Sequence, residues 1–384
     1  MTNDAGHADR RQFMTIAAAG TAALMAAPIQ ASAPSTDMII VNALGGFSNP
    51  NAARSAGAIQ GTARRALEPR ILADALASGL TAVNTTLGYV AGGMEPFEHS
   101  VKEIGVWDVR LRAHPDHLIK VLSAQDILRA HRDGKIGVIY GFQNAAMMGE
   151  DAARAEIFAD LGVRVIQLTY NPANQIGDGA MAPANRGITS FGRQVIDALN
   201  RARIMVDLSH SGQRTCLEAA RASKQPISIN HTGCRALTDL PRNKTDEELR
   251  LVAERGGFVG IYFMPFLNPR SVATAADVVA HIDHAVRVCG EDHVGIGTDG
   301  GTTAVDDMKS YRASAAKEIA ERKAAGIGAA GENPDTIPFV EDLSGPGQFT
   351  RLITLLQARG YKAARIEKIM GRNFVNYARE VWGA

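Results

Sequence analysis

Short apolar runs alternate with longer amphipathic segments along most of this chain. The runs are four to six residues long and mostly uninterrupted, as expected for strands that are buried on both faces. Eight runs qualify as candidate strands: 38–41, 82–86, 136–140, 164–169, 204–208, 226–230, 258–263 and 293–298. Eight strands separated by helices, without a break in composition, predict an α/β fold, namely a single (β/α)8 TIM-type barrel. A doubly wound open sheet is the alternative.

Helix-like segments fill the intervals between the runs. They are residues 68–77, 124–132, 152–159, 191–202, 213–223, 246–255 and 275–288, and 348–360 and 363–382 close the chain. The alternation stretches after the first, second and eighth runs. We expect loops at 42–61 and 88–117, and a helix followed by a loop over the barrel mouth at 302–347.

Two histidines stand just past the ends of neighbouring runs. His210 follows 204–208, and His231 follows 226–230. Because the carboxyl ends of parallel strands share one face, where α/β folds place their chemistry, these imidazoles can converge on a metal ion or share a catalytic role. The alternative for each is a strand-end histidine whose ring is satisfied by a backbone carbonyl.

Other strand-end residues are predicted to lie in the same mouth. Asp299 stands in a Gly-Thr-Asp-Gly-Gly segment, residues 297–301, and is a candidate metal ligand or general base, or alternatively a helix cap. Tyr140 and Tyr170 also end strands, and we predict that they donate hydrogen bonds to the reacting oxygen.

A turn-rich loop after the second histidine contains a candidate anion-binding residue. Arg242 can clamp a substrate carboxylate with two parallel hydrogen bonds, or it can hold its own loop through Asp239 or Asp246. Asn230 and Asn243 flank this region and are the other candidate substrate-binding residues.

Composition limits the classes of function. The chain has 384 residues, 46% of them hydrophobic, with a formal net charge of +1. This is enough for one large core, and the near-neutral balance gives no electrostatic reason to expect a nucleic-acid partner. Three cysteines, an odd number, do not make a full disulfide framework. We expect a small-molecule substrate, and a homodimer as a further partner.

The N-terminus has the features of a targeting segment. Twin arginines, Arg10 and Arg11, precede an uncharged, Ala-rich run at 15–27 that is too short and too weakly hydrophobic for a stable membrane span. The pair resembles the signal of the twin-arginine export route, and residues 31–33, Ala-Ser-Ala, resemble a cleavage site. We therefore predict a signal peptide at 1–33, a barrel domain at 34–384 and a periplasmic location.

From residue 137 to about 381 the sequence resembles the membrane (renal-type) dipeptidase family, which comprises zinc-dependent (β/α)8 hydrolases of the amidohydrolase superfamily. The matching segments are 168–171 (LTYN), 187–193 (GITSFGR), 206–210 (VDLSH), 230–232 (NHT), 241–243 (PRN), 297–299 (GTD) and 359–361 (RGY). The resemblance implies that His210 and His231 hold one zinc ion. It also implies that Asp299 binds the other and handles the proton of the attacking water, and that Arg242 receives the terminal carboxylate of a dipeptide.

The chain also departs from the family pattern. The His-x-Asp pair that binds the second zinc is absent, with Leu44 and Gly46 in its place. Tyr140 stands where the carboxylate that bridges the metals is expected, and Tyr170 replaces a histidine. The dinuclear site of the family therefore cannot form. Two imidazoles and Asp299 predict a single zinc ion with one open position.

These observations predict a periplasmic hydrolase of dipeptides or related small amides, with about one zinc ion per chain. Two alternatives stay open at this point. One is a metal-free tailoring enzyme that acts on an exported, peptide-derived metabolite. The other is a non-catalytic binding protein that keeps the barrel and its carboxylate-binding arginine.

Overall fold

The structure, a computed structural model, describes residues 38–52, 67–324 and 330–383. The predicted signal peptide, residues 1–33, lies outside the described residues. The described part belongs to one compact unit, Pro34–Ala384. Among the residues described, no helix has both the length and the apolar character that a membrane crossing requires.

Within the described residues, nine parallel strands form the sheet. They are β1 (Val41–Gly45), β2 (Ala82–Thr86), β3 (Leu118–Lys120), β4 (Ile136–Phe142), β5 (Val163–Gln167), β6 (Met205–Asp207), β7 (Ser228–Thr232), β8 (Phe258–Ile261) and β9 (Val294–Ile296). Eight of them follow one another around the barrel, and β3 pairs with β4 outside that path. Each predicted run overlaps one of the eight barrel strands, so the predicted TIM-type barrel is confirmed.

Polar contacts join the first and last strands. Asn42 on β1 exchanges two hydrogen bonds of 2.8 Å with Thr298, through the side-chain hydroxyl and the backbone N–H of the threonine. The backbone N–H of Asp299 donates to the carbonyl of Leu44 at 2.9 Å. The β1 amide side chain therefore helps to close the barrel.

Twelve α-helices occur in the described part of the chain. They are α1 (Pro69–Ala77), α2 (Pro96–Ala113), α3 (Ala124–Arg132), α4 (Arg154–Asp160), α5 (Ser190–Arg201), α6 (Gln213–Ala222), α7 (Asp246–Glu254), α8 (Ala275–Cys289), α9 (Met308–Ala324), α10 (Gln348–Ala358), α11 (Ala363–Glu367) and α12 (Asn373–Trp382). A π-helical stretch, Lys368–Arg372, joins α11 to α12. The predicted helices therefore match observed ones to within a few residues at each end.

Helix α2 lies where the sequence predicted a loop, at 88–117. Glu95 caps its start by accepting from the backbone N–H groups of Phe97 and Glu98, and a proline occupies its first position. Only three of its residues are buried, so its apolar periodicity is too weak to identify it from sequence.

Aromatic residues of α12 close the amino-terminal end of the barrel. The Phe258 ring at the start of β8 lies 5.3 Å from the ring of Phe374 and 6.0 Å from that of Tyr377. This end is thus filled by an apolar core, and polar groups collect at the opposite end, where the strands finish.

Candidate active site

The ends of β6 and β7 bring two predicted residues together. The ring centres of His210 and His231 lie 5.0 Å apart, and both side chains are buried. Pairing between β7 and β8 slips by one residue between Ile229 and Thr232. Ile229 packs in the main apolar core, and the extra residue after it redirects the following side chains, as β-bulges near active sites do. We attribute the meeting of the two rings to this slip.

Three neighbours fix the ring of His210. Its Nδ1 lies 2.7 Å from Oδ1 of Asn171, an acceptor, so Nδ1 carries the proton. Its Nε2 then accepts from Nη2 of Arg242 at 3.1 Å. The ring of Tyr170 stacks on it with centres 4.3 Å apart. The imidazole therefore has one orientation and one tautomer.

Arg242 is buried beside this ring and has internal partners. Besides His210 Nε2 it donates through Nη1 to the backbone carbonyl of Ser209. The two aspartates that could have held it bind elsewhere, Asp239 at 3.7 Å from Arg235 and Asp246 at 2.7 Å from His284. Arg242 thus links its own loop to the loop between β6 and α6 (residues 208–212, the β6 loop), and its charge faces the two histidines.

The side chains of Asn230 and His231 have polar atoms that need partners. Both ring nitrogens of His231 and both amide atoms of Asn230 are buried, and no residue of the described chain bonds to them. Buried polar groups are rarely left unpaired. A ligand or water bound at the carboxyl ends of β6 and β7 would satisfy them.

Both histidines are neutral at physiological pH. Burial, and then the positive charge of Arg242, lowers the pKa of His210 and of His231 well below the ordinary value. Neutral imidazoles can accept a hydrogen bond or bind a metal ion, but they cannot supply a positive charge.

Asp299 is the titratable acid of the mouth. It follows β9 in a left-handed backbone conformation, with φ 58°, and the residue as a whole is half-buried. Burial raises its pKa to about 6, although the nearby charge of Arg242 opposes the shift. A carboxyl group with a pKa near neutrality is suited to general base catalysis.

The spacing of the two imidazoles fits a shared zinc ion, but the complete donor set does not. Two imidazoles on one tetrahedral zinc have ring centres about 5 Å apart, since zinc–nitrogen bonds are about 2.0–2.1 Å. Among the described residues, however, no three His, Cys, Asp or Glu side chains come close enough to hold a metal, so Asp299 does not complete a group with His210 and His231. The Nε2 lone pair of His210 already accepts from a cation. The residues present therefore do not fit a resident zinc ion.

The structure directs the side chain of Tyr140 to a surface helix, so its contacts do not support the predicted hydrogen bond to the reacting oxygen. Its phenol donates to Asp108 of α2 at 2.8 Å, and Lys120 lies over its ring at 4.3 Å. Side chains alternate along a strand, and that of Tyr140 faces the helices. Burial, and then the bond to Asp108, raises the pKa of the phenol, so it stays protonated.

The amide of Asn243, a predicted substrate-binding residue, bonds to groups of the chain itself. Its Nδ2 donates to the carbonyls of Thr238 and Phe266 at 2.8 and 2.9 Å, and its Oδ1 accepts from the Tyr262 hydroxyl at 2.6 Å. These bonds leave no free N–H on the amide, so the residue pins the loop after β7.

Sequence reasoning missed three residues that support the site. Asp207 accepts from the backbone N–H groups of Ser209 and Asn230, and Asn171 sets the tautomer of His210. The third, Lys244, donates to the backbone carbonyl of Ser211, next to His210. An aspartate at the end of an apolar strand is the one signal that could have identified any of them.

The chain is similar in sequence to known dipeptidases. A model of the family described as membrane dipeptidase, peptidase family M19, matches residues 88–325. The chain is 27% identical over 275 residues to Dipeptidase tcpJ of Claviceps purpurea, covering 71% of this chain and 57% of that protein. It spans 48% to 57% of the length of four curated relatives, tcpJ among them.

Two solved structures share the fold. An amidohydrolase from Pseudomonas aeruginosa is 31% identical and superposes with a TM-score of 0.75, covering 91% of this chain and 98% of that one. A metallo peptidase from Rhodobacter sphaeroides, liganded with a phosphinate mimic of the dipeptide L-Ala-D-Ala, is 20% identical with a TM-score of 0.70, covering 90% and 100%. At that identity the second likeness shows the fold alone.

Proposed function

The chain belongs to the membrane dipeptidase family, and we propose that it hydrolyses peptide-like amide bonds in small, carboxylate-bearing molecules without a resident zinc ion. The observation that carries the metal-free part is the contact of Arg242 with His210. A guanidinium group occupies the lone pair that a zinc ion would need, so the cation of this site belongs to the protein.

Asp299 is the proposed proton acceptor. Its carboxylate takes a proton from a water molecule as the water oxygen bonds to the amide carbon, and the proton then passes to the leaving nitrogen as the C–N bond breaks. We assign to Tyr170 the donation of a hydrogen bond to the oxygen that becomes negative. Without a metal to polarise the carbonyl group, we expect slow turnover of ordinary dipeptides and faster turnover of activated amides.

We assign substrate binding to the guanidinium group of Arg242 and to the side-chain amide of Asn230. The charge of Arg242 attracts a carboxylate, which its remaining N–H groups can bind. Asn230 has a buried donor and a buried acceptor without partners, the complement of a peptide unit. A small peptide or an N-acyl amino acid carries both groups.

The test is hydrolysis of a panel of dipeptides and N-acyl amino acids by purified protein of measured metal content. We expect activity that survives chelation and is lost in Asp299→Asn. Absence of hydrolysis across the panel, from a correctly folded preparation, would overturn the proposal, and binding without turnover would indicate a non-catalytic role.

A zinc-dependent hydrolase is the second candidate. Both ring nitrogens of His231 lack a partner in the described chain, and the ring centres of His231 and His210 lie 5.0 Å apart. In that form Arg242 would have to leave Nε2 of His210, the two histidines would hold one zinc ion, and the ion would supply polarisation of the substrate carbonyl. One equivalent of zinc by elemental analysis, with activity abolished by chelation and restored by zinc, would favour this candidate over the metal-free form.

We also propose export to the periplasm by the twin-arginine route, with residues 1–33 removed. The pair Arg10 and Arg11 before an uncharged segment supports this location. Replacing both arginines by lysine should leave the precursor in the cytoplasm, and an unchanged periplasmic yield would contradict the route. Light scattering on the mature protein tests the expected homodimer.

A further inference from the structure

Lys244 is a fully buried lysine close to the candidate site. Its side chain is 1% exposed, although lysine is almost never buried without a partner. Its Nζ donates to the backbone carbonyl of Ser211 and lies 3.5 Å from Oε1 of Glu248, whose side chain is also 1% exposed. The ammonium group is therefore directed at the β6 loop and balanced by one buried carboxylate.

Three successive carbonyls of the β6 loop are held from outside the loop. Arg242 donates to the carbonyl of Ser209, and Lys244 donates to that of Ser211. Two cations therefore hold the residues on either side of His210. The carbonyl of His210 itself accepts from the backbone N–H of Ala180 at 2.7 Å. The backbone that aims the imidazole is thus fixed at each residue.

The start of α7 fixes the counter-ion. Oε2 of Glu248 accepts from the backbone N–H and the hydroxyl of Thr245, both at 2.9 Å, as part of a capping box. This leaves Oε1 facing Lys244. The lysine is therefore positioned by a helix of the scaffold.

We propose that Lys244 is a positioning residue for His210, acting through the carbonyl of Ser211, with Glu248 as its required counter-ion. Lys244 touches neither substrate nor the imidazole in this role. A charged donor suits it, because hydrogen bonds from ammonium groups are stronger than those between neutral groups. The consequence for catalysis rests on the proposed function, whereas the effect on the His210 ring does not.

The experiment removes the ammonium group without leaving an unpaired buried charge. Lys244→Met alone leaves Glu248 uncompensated, and we expect that variant to fold poorly. The double variant Lys244→Met with Glu248→Gln has no unpaired charge, and glutamine keeps the capping box. The matched control is Lys224→Met, which removes a lysine that is 78% exposed and pairs with Asp197 at 3.2 Å.

Without Lys244 the backbone around Ser211 is less constrained, so we expect the folded double variant to lose amide hydrogen-exchange protection at Ser211 and Gly212, whose N–H groups donate to Leu208 and Asp178 at 2.9 Å. Movement of this backbone should weaken the contacts of the His210 ring with Asn171 and Arg242, so its ring nitrogens, observed by 15N NMR, should change from one tautomer to an average of two. We expect kcat to fall about 10- to 100-fold, with a smaller change in KM, since misplacement of a catalytic group acts on the chemical step. The Lys224→Met control should match the wild type in each measurement.

Unchanged exchange protection and an unchanged 15N pattern in the folded double variant would overturn the proposal. If those signals change but the wild type hydrolyses nothing, the positioning role stands and the proposed function fails. If those signals do not change and the wild type hydrolyses a substrate, the positioning role fails and the proposed function stands.

Discussion

The two halves of the barrel mouth use their strand ends differently. At the ends of β6 and β7, side chains meet one another: His210 contacts Arg242 and Tyr170, and its ring lies 5.0 Å from that of His231. At the ends of β1 and β4, the corresponding side chains serve the scaffold. Leu44 is buried in the core, and Tyr140 donates to a surface helix.

The half of the mouth formed by the ends of β1 and β4 cannot easily regain metal ligands. A side chain at Gly141, next to Tyr140 on the strand, would place its Cβ 2.0 Å from Oδ1 of Asn84. A carboxylate at position 140 would lie against Asp108, since that is where the tyrosine points. The titratable chemistry of this mouth therefore depends on one half, together with Asp299 at the seam between β9 and β1.

The largest expected effect is that of replacing Asp299, which lies where β9 meets β1. Asp299→Asn removes the proposed base but keeps the shape of the side chain, so hydrolysis should fall by about 10²- to 10⁴-fold. The matched control is Asp239→Asn, which changes an aspartate that is 91% exposed. Steady-state kinetics on the best substrate of the panel measure both variants. Equal rates for Asp299→Asn and the wild type would exclude Asp299 as the base.

Much of the fold could be predicted from sequence because it depends on periodicity. Eight barrel strands produce apolar runs that stand out from their neighbours, and β3 was missed because it has three residues and lies off the barrel. The end positions of β6 and β7 were equally visible, since histidines interrupt apolar runs there.

Which way a side chain faces could not be predicted as well. A single-residue slip in β7 changes which side chains face the mouth, and hydrophobic pattern does not show such slips. Tyr140 lies two residues before the end of β4, and Tyr170 lies three residues beyond the end of β5. Only Tyr170 contacts His210, because facing depends on register as well as position. The bonds of Arg242 and Asn243 depend on the path of a turn-rich loop, which has no periodicity to read.

The next largest effect tests the cation. Arg242→Met removes the donor on His210 Nε2, so we expect hydrolysis to fall about 10- to 100-fold and the two imidazoles to bind zinc more tightly. Isothermal titration with zinc, for the variant and the wild type, measures the second effect. The control is Arg235→Met, an arginine of the same loop that donates to the carbonyls of Leu240 and Pro241. Tighter zinc binding by the wild type than by Arg242→Met would contradict the proposed role of this residue.

The pH profile should show about a tenfold effect between pH 5 and pH 7. Because burial raises the pKa of Asp299 to about 6, the base form grows as pH rises through 6, and kcat/KM should rise with it and then level. A profile that is flat from pH 5 to pH 7 would contradict Asp299 as the titrating group.

The raised pKa of Asp299 also affects stability. As pH rises through 6, the rate should increase but the stability of the fold should decrease. The folded-state pKa of about 6 lies above the ordinary value of 3.8, so the contribution of Asp299 to stability is present below 3.8 and is lost as pH rises through 6. We therefore expect Asp299→Asn to be more stable than the wild type at pH 8, by on the order of 1–3 kcal/mol. At pH 4 we expect a smaller gain in stability over the wild type. Thermal unfolding at both pH values measures this difference, and an equal gain at both would point to a cause other than titration.

The smallest effects come from the two tyrosines, which compare the two halves directly. Tyr170→Phe keeps the ring that stacks on His210 but removes the proposed donor, so hydrolysis should fall about tenfold or less. Tyr140→Phe removes the bond to Asp108, so stability should fall by about 1 kcal/mol with no change in kcat. Denaturant unfolding and steady-state kinetics on both variants separate the two outcomes. A loss of kcat in Tyr140→Phe as large as that in Tyr170→Phe would mean that the β4 end takes part in the chemistry, and the division of the mouth into two halves would then be wrong.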